Sequence, residues 1–308
     1  MTGKRPILAI IGPTAGGKSA LAAELARQRG GEILSVDSMQ IYRGMDIGTA
    51  KPTAAERREI RHHLIDIAGP DESFSAARFV ELADAVIAES SAPLIATGGT
   101  PMYFKALFEG LFEGPSADEA LRSELGNLSG EELHARLAAI DPQAAARIHV
   151  ADTRRLIRAI EVHHHTGQPI SALQTQWKAD REPRHRAVWI GLQWDRDELN
   201  RRINARVKEM IAAGWVEEVQ NLVREHPKLS KSASEATGYA ELIGHIEGRW
   251  SLEDAVEQIK IATRQLARRQ MKWFRRFEHV HWLSGRAAVA ENAAAAGRIW
   301  DEMAGKNG

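Results

Sequence analysis

An α/β protein with a parallel sheet core and an all-helical insertion is what this sequence predicts, on three observations. Short apolar runs alternate with helix-patterned segments, the order expected of a parallel sheet covered on both faces. The early runs lead directly into loops built from Gly, Asp and Thr. Between about residue 117 and residue 176 the texture changes to helical pattern with no convincing strand. The expected division is therefore 1–116 and 186–308 for the core and 117–185 for the insertion.

Taken in order, Pro6–Ile11 reads as a short buried strand, followed by a loop over Gly12–Ser19. Ala20–Arg29 has the Ala/Leu/Glu composition of a good helix. Glu32–Val36 is a second strand, with Asp37 just past its end. Phe74–Glu89 repeats Phe79, Leu82 and Val86 at helix spacing, and Pro93–Thr97 is a third strand running into Gly98-Gly99-Thr100. Ligands of such sheets gather at the carboxyl ends of the strands, so loops 12–19, 37–40 and 98–100 are expected together there. Helical pattern runs from about Ala117 to Gln176. Arg186–Leu192 returns to strand character, Asn200–Arg224 and Leu252–Phe277 read as long helices, and His279–Leu283 as a last strand. An Ala-rich closing helix follows Ser284, with Gly305–Gly308 expected to fray.

Composition narrows the class. The 308 residues are 44% hydrophobic and 27% charged, an ordinary globular balance. No apolar run is long enough for a membrane span, and Ile7–Ile11 is too short for a signal-peptide core. There are no cysteines, which excludes disulfides and thiolate metal sites and fits a cytoplasmic enzyme. Net charge is zero, so a polyanionic partner must be met by a local basic patch. A monomer is the default expectation.

Gly12-Pro13-Thr14-Ala15-Gly16-Gly17-Lys18-Ser19 satisfies G-x-x-x-x-G-K-[ST], with a strand before it and a helix after, so the core reads as P-loop NTPase-like. The glycines let backbone amides point inward at an anion, and the helix N-terminus adds its positive end. Lys18 supplies a charge for phosphate oxygens and the Ser19 hydroxyl a ligand for Mg²⁺. The Pro93–Thr97 strand ends without the aspartate that a nucleotide hydrolase uses there. Asp37 is the nearest acid; it suits a general base facing an acceptor, or a plain cap or turn residue.

Lys260, Arg264, Arg268, Lys272 and Arg276 recur at every fourth residue, with Arg269 and Arg275 beside them and no carboxylate between Glu257 and Glu278. Such a stripe suits the phosphate backbone of RNA, or a solvated face paired elsewhere in the fold. A second basic group, Arg147, Arg154, Arg155 and Arg158, lies in the insertion ahead of His163-His164-His165.

Several stretches resemble the bacterial tRNA dimethylallyltransferases: GPTAGGKS (12–19), DSMQIYRGMDIGTAKP (37–52), HHLID (62–66), GGTPMYFKAL (98–107), GPSADEALR (114–122), DTRRLIRAIEV (152–162), GYAEL (238–242) and TRQLARRQMKWFRR (263–276). They span nearly the whole chain in the family's order. The resemblance implies transfer of a dimethylallyl group from dimethylallyl diphosphate to N6 of the adenosine immediately 3′ of the anticodon. The substrates it implies are tRNAs reading codons that begin with U, and diphosphate is released. It implies that the P-loop holds the donor's diphosphate, that Asp37 takes the N6 proton, and that Thr100 lines the reaction channel. It further implies tRNA contacts through Asp37, Ser38, Met39, Gln40, Thr100, Arg122, Arg154, Arg155, Leu156, Ile157, Arg158, Gly238 and Tyr239. Arg264 and Arg268 of the basic stripe join that set. Ser19 stands where threonine is common, Pro101 is less usual after Gly-Gly-Thr, and the residues around Gly238-Tyr239 depart from the pattern. A small-molecule kinase, a prenyltransferase acting on free nucleotide and a non-catalytic RNA-binding module are the alternatives; the first would need neither the basic stripe nor so large an insertion.

Overall fold

A computed structural model of the chain describes residues 6–112, 114–174 and 182–305. The chain divides into two compact units, Met1–Phe108 with His185–Gly308, and Glu109–Arg184. The first unit contains strands β1 (Ile7–Ile11), β2 (Glu32–Ser35), β3 (His62–His63), β4 (Leu94–Thr97), β5 (Ala187–Gln193) and β6 (Val280–Ser284). They form one sheet in the order β3-β2-β4-β1-β5-β6, with every neighbouring pair parallel. Its helices are α1 (Lys18–Arg29), α2 (Ala54–Glu59), α3 (Ala76–Glu89) and α4 (Pro101–Glu109), whose last residue already lies across the unit boundary. The second unit holds α5 (Glu119–Leu125), α6 (Gly130–Ile140), α7 (Pro142–Ala145), α8 (Thr153–Thr166) and α9 (Ile170–Leu173), and no strand among its described residues. The first unit resumes after β5 with α10 (Arg196–Ala212), α11 (Trp215–Glu225), α12 (Lys231–Ser234), α13 (Tyr239–Ile246), α14 (Leu252–Phe274) and α15 (Val289–Gly305).

The period-two alternation of β1 sends its side chains into two different cores. Leu8 and Ile10 pack with Leu21 and Leu25 of α1 and with Ala296 and Trp300 of α15. Ile7, Ala9 and Ile11 face Phe79 of α3, Phe104 of α4 and Phe274 of α14. Covering both faces excludes water from the sheet, as a parallel sheet requires. A third cluster joins Ile41, Tyr42 and Met45 to Trp215, Tyr239, Leu242 and Ile259, so the segment after β2 is packed onto the α10–α14 helices. The second unit has its own core around Leu133, Leu137, Leu156 and Val162.

The five expected strands are all present within about one residue of their expected ends. β3 was not read as a strand; two residues are too few to show a period. The long helix expected over Asn200–Arg224 is instead two helices. It breaks at Ala213 and Gly214, where Gly214 adopts φ 96° and starts α11 on a new axis. The helix expected to Phe277 stops at Phe274. The helical pattern expected to Gln176 runs to Leu173, and Gln176 lies outside the described residues, as do residues 306–308 of the expected frayed end. No helix among the described residues is long and apolar enough to cross a membrane.

Candidate active site

Three loops at the carboxyl ends of β1, β2 and β4 converge in the first unit, as expected. The loop after β1 opens at Gly12, with φ 149° and a backbone so close to β5 that a Cβ would stand 2.9 Å from the Leu192 carbonyl oxygen. Only glycine meets both demands. Ala15 takes φ 58° and Gly17 φ 90°, and α1 begins directly at Lys18. Outside the loop, the Trp194 indole Nε1 donates to the Gly16 carbonyl at 3.0 Å and Arg202 Nε donates to the Ala15 carbonyl at 3.0 Å. The Arg202 guanidinium also stacks over the Trp194 ring, 4.4 Å from its centroid. Two loop amides are used within the protein: Gly16 N donates to the Pro13 carbonyl at 3.1 Å and Thr14 N to a side chain of α14 at 2.8 Å.

Lys18 Nζ donates to the Pro13 carbonyl at 2.8 Å. Burial pulls the Lys18 pKa down to about 7; Arg206 on α10 pushes the same way and Asp37 opposes. Burial also lowers Arg206, again opposed by Asp37. Lys18, Arg206 and Asp37 thus lie within one electrostatic neighbourhood. Ser19 is exposed on the first turn of α1.

Asp37 is held by backbone amides on both sides. Its Oδ1 accepts from Met39 N at 2.9 Å and Gln40 N at 3.4 Å, and its Oδ2 accepts from Gly99 N at 3.1 Å. The Thr100 hydroxyl accepts from Ser38 N at 2.9 Å and donates to Ser38 Oγ at 3.1 Å. The turn-residue and base readings of Asp37 are therefore compatible: the same carboxylate closes its own turn and faces the neighbouring loop. Gln40 is used inside the protein, accepting from Ser35 Oγ and donating to the Thr49 and Ala50 carbonyls.

Four residues absent from the sequence reading complete the site. Gln270 of α14 is buried (4% exposed) and joins two of the loops. Its Oε1 accepts from Thr14 N at 2.8 Å and its Nε2 donates to the Gly99 carbonyl at 2.7 Å. The readable signal was a polar residue in the apolar register of a helix, between Ala267 and Phe274. Lys51 buries its ammonium among the Tyr42 carbonyl, Asp46 and Asp66, at 2.5, 2.6 and 2.6 Å, which folds the 37–52 segment on itself. Glu218 accepts from the amides of Asp46, Ile47 and Gly48 and from the Tyr239 hydroxyl at 2.6 Å. Arg206 carried no sequence signal beyond being one of many arginines.

The residues expected to touch RNA divide into two groups. Arg154 and Arg155 are exposed on the first turn of α8, with Arg155 3.4 Å from Asp152. Ile157 is half-buried. Leu156 is fully buried in the helical unit, so its side chain packs the core and offers no surface to a partner. Arg122 and Arg158 converge on the buried Glu161. Arg122 binds it in two places at 2.8 and 3.0 Å, and Arg158 binds it at 2.5 Å while also donating to the Pro115 carbonyl at 3.0 Å. Tyr239 is buried against Trp215, and Gly238 lies against the same ring. Along α14, Lys260 is buried and paired with Glu257 at 2.5 Å. Arg264 donates to Asn204 at 2.7 Å, and Arg268, Arg269, Lys272, Arg275 and Arg276 are exposed. A carboxylate thus offsets the stripe at Lys260, and its carboxyl-terminal half is exposed.

The model of the IPP transferase family matches residues 40–277. A tRNA dimethylallyltransferase of Pelotomaculum thermopropionicum is 46% identical over 288 residues, covering 91% of both chains. One of Geobacter metallireducens is 46% identical over 287 residues, covering 91% of this chain and 93% of its own. Among solved structures, the tRNA isopentenylpyrophosphate transferase of Staphylococcus epidermidis is 36% identical with a TM-score of 0.71, over 97% of this chain and 100% of that one. A eukaryotic dimethylallyltransferase acting on tRNA is 25% identical with a TM-score of 0.78, over 92% of this chain and 74% of that one. With a phosphate-type loop, a tethered aspartate and this breadth of likeness, the chain belongs to the IPP transferase family.

Proposed function

We propose that this chain is a cytoplasmic, monomeric tRNA dimethylallyltransferase. In this reading its P-loop NTPase-like core holds dimethylallyl diphosphate, and the dimethylallyl group passes to N6 of the adenosine immediately 3′ of the anticodon. The observation that carries the proposal is the convergence of the Gly12–Ser19 loop with Asp37 and Thr100, in a chain of this family. The loop amides, the Lys18 ammonium and Arg206 stabilise the charge that grows on the diphosphate as its bond to the allylic carbon breaks. An aromatic exocyclic amine is a weak nucleophile, and the Asp37 carboxylate accepts its proton as the new C–N bond forms. The amides of Met39, Gln40 and Gly99 hold that carboxylate in place before the substrate arrives. Thr100 braces the same wall through Ser38.

Mg²⁺ fits this donor set. Among the described residues no cluster of three His, Cys, Asp or Glu could hold a metal, so the cation would rest chiefly on the diphosphate oxygens and the Ser19 hydroxyl. β4 ends in Thr97, whose buried hydroxyl has no hydrogen-bond partner and suits a water of the cation's shell. Bound there, the ion would add positive charge against the leaving group.

Arg154 and Arg155 of the helical unit and Arg268 of α14 are the exposed cations we assign to the anticodon stem-loop. Within the helical unit, Arg122 and Arg158 support α8 through Glu161. The target adenine must leave its stack to reach Asp37, which suits an unpaired loop nucleotide. The test is mass spectrometry of nucleosides from tRNA incubated with the protein and dimethylallyl diphosphate, beside a reaction given ATP. N6-dimethylallyladenosine in the first reaction alone is expected; its absence with active donor and intact tRNA refutes the proposal.

A further inference from the structure

Gln270 is an uncharged polar side chain of α14, buried between the apolar Ala267 and Phe274. A leucine or methionine would fill the same volume, so packing gives no reason for an amide there. What the amide does is specific. Its acceptor end takes the Thr14 amide of the phosphate-type loop at 2.8 Å, and its donor end reaches the Gly99 carbonyl at 2.7 Å. Gly99 in turn gives its own amide to Asp37 at 3.1 Å. One side chain therefore spans the loop that faces the leaving group and the residue that holds the base. The two ends are not interchangeable, because a rotated amide would set like against like at both contacts. Gly99 is pinned between the partners: a Cβ there would stand 2.9 Å from Gln270 Nε2 and 3.0 Å from Asp37 Oδ2.

We infer that Gln270 is a positioning residue for group transfer, fixing the separation of the diphosphate loop from the Gly99–Asp37 wall and touching neither substrate. This rests on the transferase reading above. Nucleophile, allylic carbon and leaving oxygen must lie near one line, and a displacement of about 1 Å between the walls that hold them costs on the order of a hundredfold in rate. Each wall would still bind its own substrate. The signature of lost spacing is thus a fall in kcat without a matching loss of affinity.

Two variants of the full-length protein test this. Gln270→Met keeps length and bulk and removes both hydrogen bonds. Gln270→Glu keeps the acceptor for Thr14 but opposes the Gly99 carbonyl with a second acceptor. Both are expected to lower kcat by about tenfold to a hundredfold, with dissociation constants for dimethylallyl diphosphate and for tRNA within about threefold of wild type. The glutamate variant carries a further readout. Its new carboxyl shares the site with Asp37, Lys18 and Arg206, and once protonated it can again donate to Gly99. Its kcat relative to wild type at the same pH is expected to rise as pH falls, while the methionine variant's ratio stays flat. A methionine variant with wild-type kcat, or a loss confined to donor affinity, overturns the inference. Should that variant fail to fold, a pH-independent ratio for the glutamate variant overturns it instead. If the wild-type protein forms no dimethylallyladenosine, the transferase reading itself fails and this inference with it. An active wild type with unaffected variants removes the positioning role alone.

Discussion

Gly99 donates its backbone amide to Asp37 Oδ2 at 3.1 Å, so the acid that ends β2 is held by the loop that ends β4. The other oxygen, tied to Met39 and Gln40, closes the turn. Asp37→Asn can keep the Met39 and Gln40 contacts through its one oxygen, but it sets its NH2 against the Gly99 N–H and cannot take a proton. Both Asp37→Asn and Asp37→Ala are expected to lower single-turnover transfer by about a hundredfold to ten-thousandfold. Filter binding should show tRNA affinity within about threefold of wild type. Near-normal turnover in Asp37→Ala would remove Asp37 as the base.

Lys18 is expected to make diphosphate binding pH-dependent. Its pKa near 7 in the free loop, set by burial and Arg206 against Asp37, leaves it mostly neutral at about pH 8. A bound polyanion favours the charged form. Calorimetry in buffers of different ionisation heat should then show net proton uptake on binding at about pH 8 and little at about pH 6, with the difference lost in Lys18→Met. The stability sign follows. With the folded pKa below the ordinary lysine value of 10.5, the unfolded chain holds more protons between pH 7 and 10.5, so this group's contribution rises with pH across that window and opposes folding below it.

Thr100 uses its hydroxyl twice on Ser38. Thr100→Val leaves the Ser38 amide without its acceptor and is expected to cost about 1–2 kcal/mol in thermal unfolding. Thr100→Ser retains both bonds and should unfold close to wild type. Loss of transfer in the valine variant beyond its loss of folded protein would place the hydroxyl in the reaction as well.

Glu161 is fully buried, and burial alone would raise its pKa. The hydrogen bonds from Arg122, the Asp118 amide and Arg158 outweigh this and hold it below the usual carboxylate value. Glu161→Gln leaves two guanidinium groups uncompensated. It is expected to destabilise the helical unit by about 2–3 kcal/mol, moderated because both arginines are about a third exposed. Hydrogen exchange should report faster opening in Glu109–Arg184. Because the folded pKa is depressed, this stabilisation is present above the ordinary carboxylate value of 4.5 and lost as pH falls through the folded pKa. Exchange rates unchanged by the substitution would show that the ion triad is not what holds the unit.

Much of this protein is legible in the chain because its signals are local. The short continuous apolar run of β1, helix spacing in α3 and a glycine-lysine loop between strand and helix are each set by a few neighbouring residues. The parallel sheet follows from their alternation, and the meeting of three loops follows from the sheet, since successive strands deliver their ends to one edge. The break at Gly214 and the two-residue β3 escaped because one glycine inside a helical pattern is ambiguous and two residues carry no period. Charge was the least legible property. Arg122, Arg158 and Lys260 look from the sequence like cations free for RNA, yet Glu161 and Glu257 occupy them. Gln270 lies 171 residues from Gly99 and 256 from Thr14, and nothing local announces that an amide will join them. The sequence by itself determined which loops meet at the carboxyl edge of the sheet, because backbone reach and strand direction are local properties. Only the tertiary structure decided which polar side chains stay exposed and which hold one another, because burial and pairing depend on segments that meet only once the chain has folded.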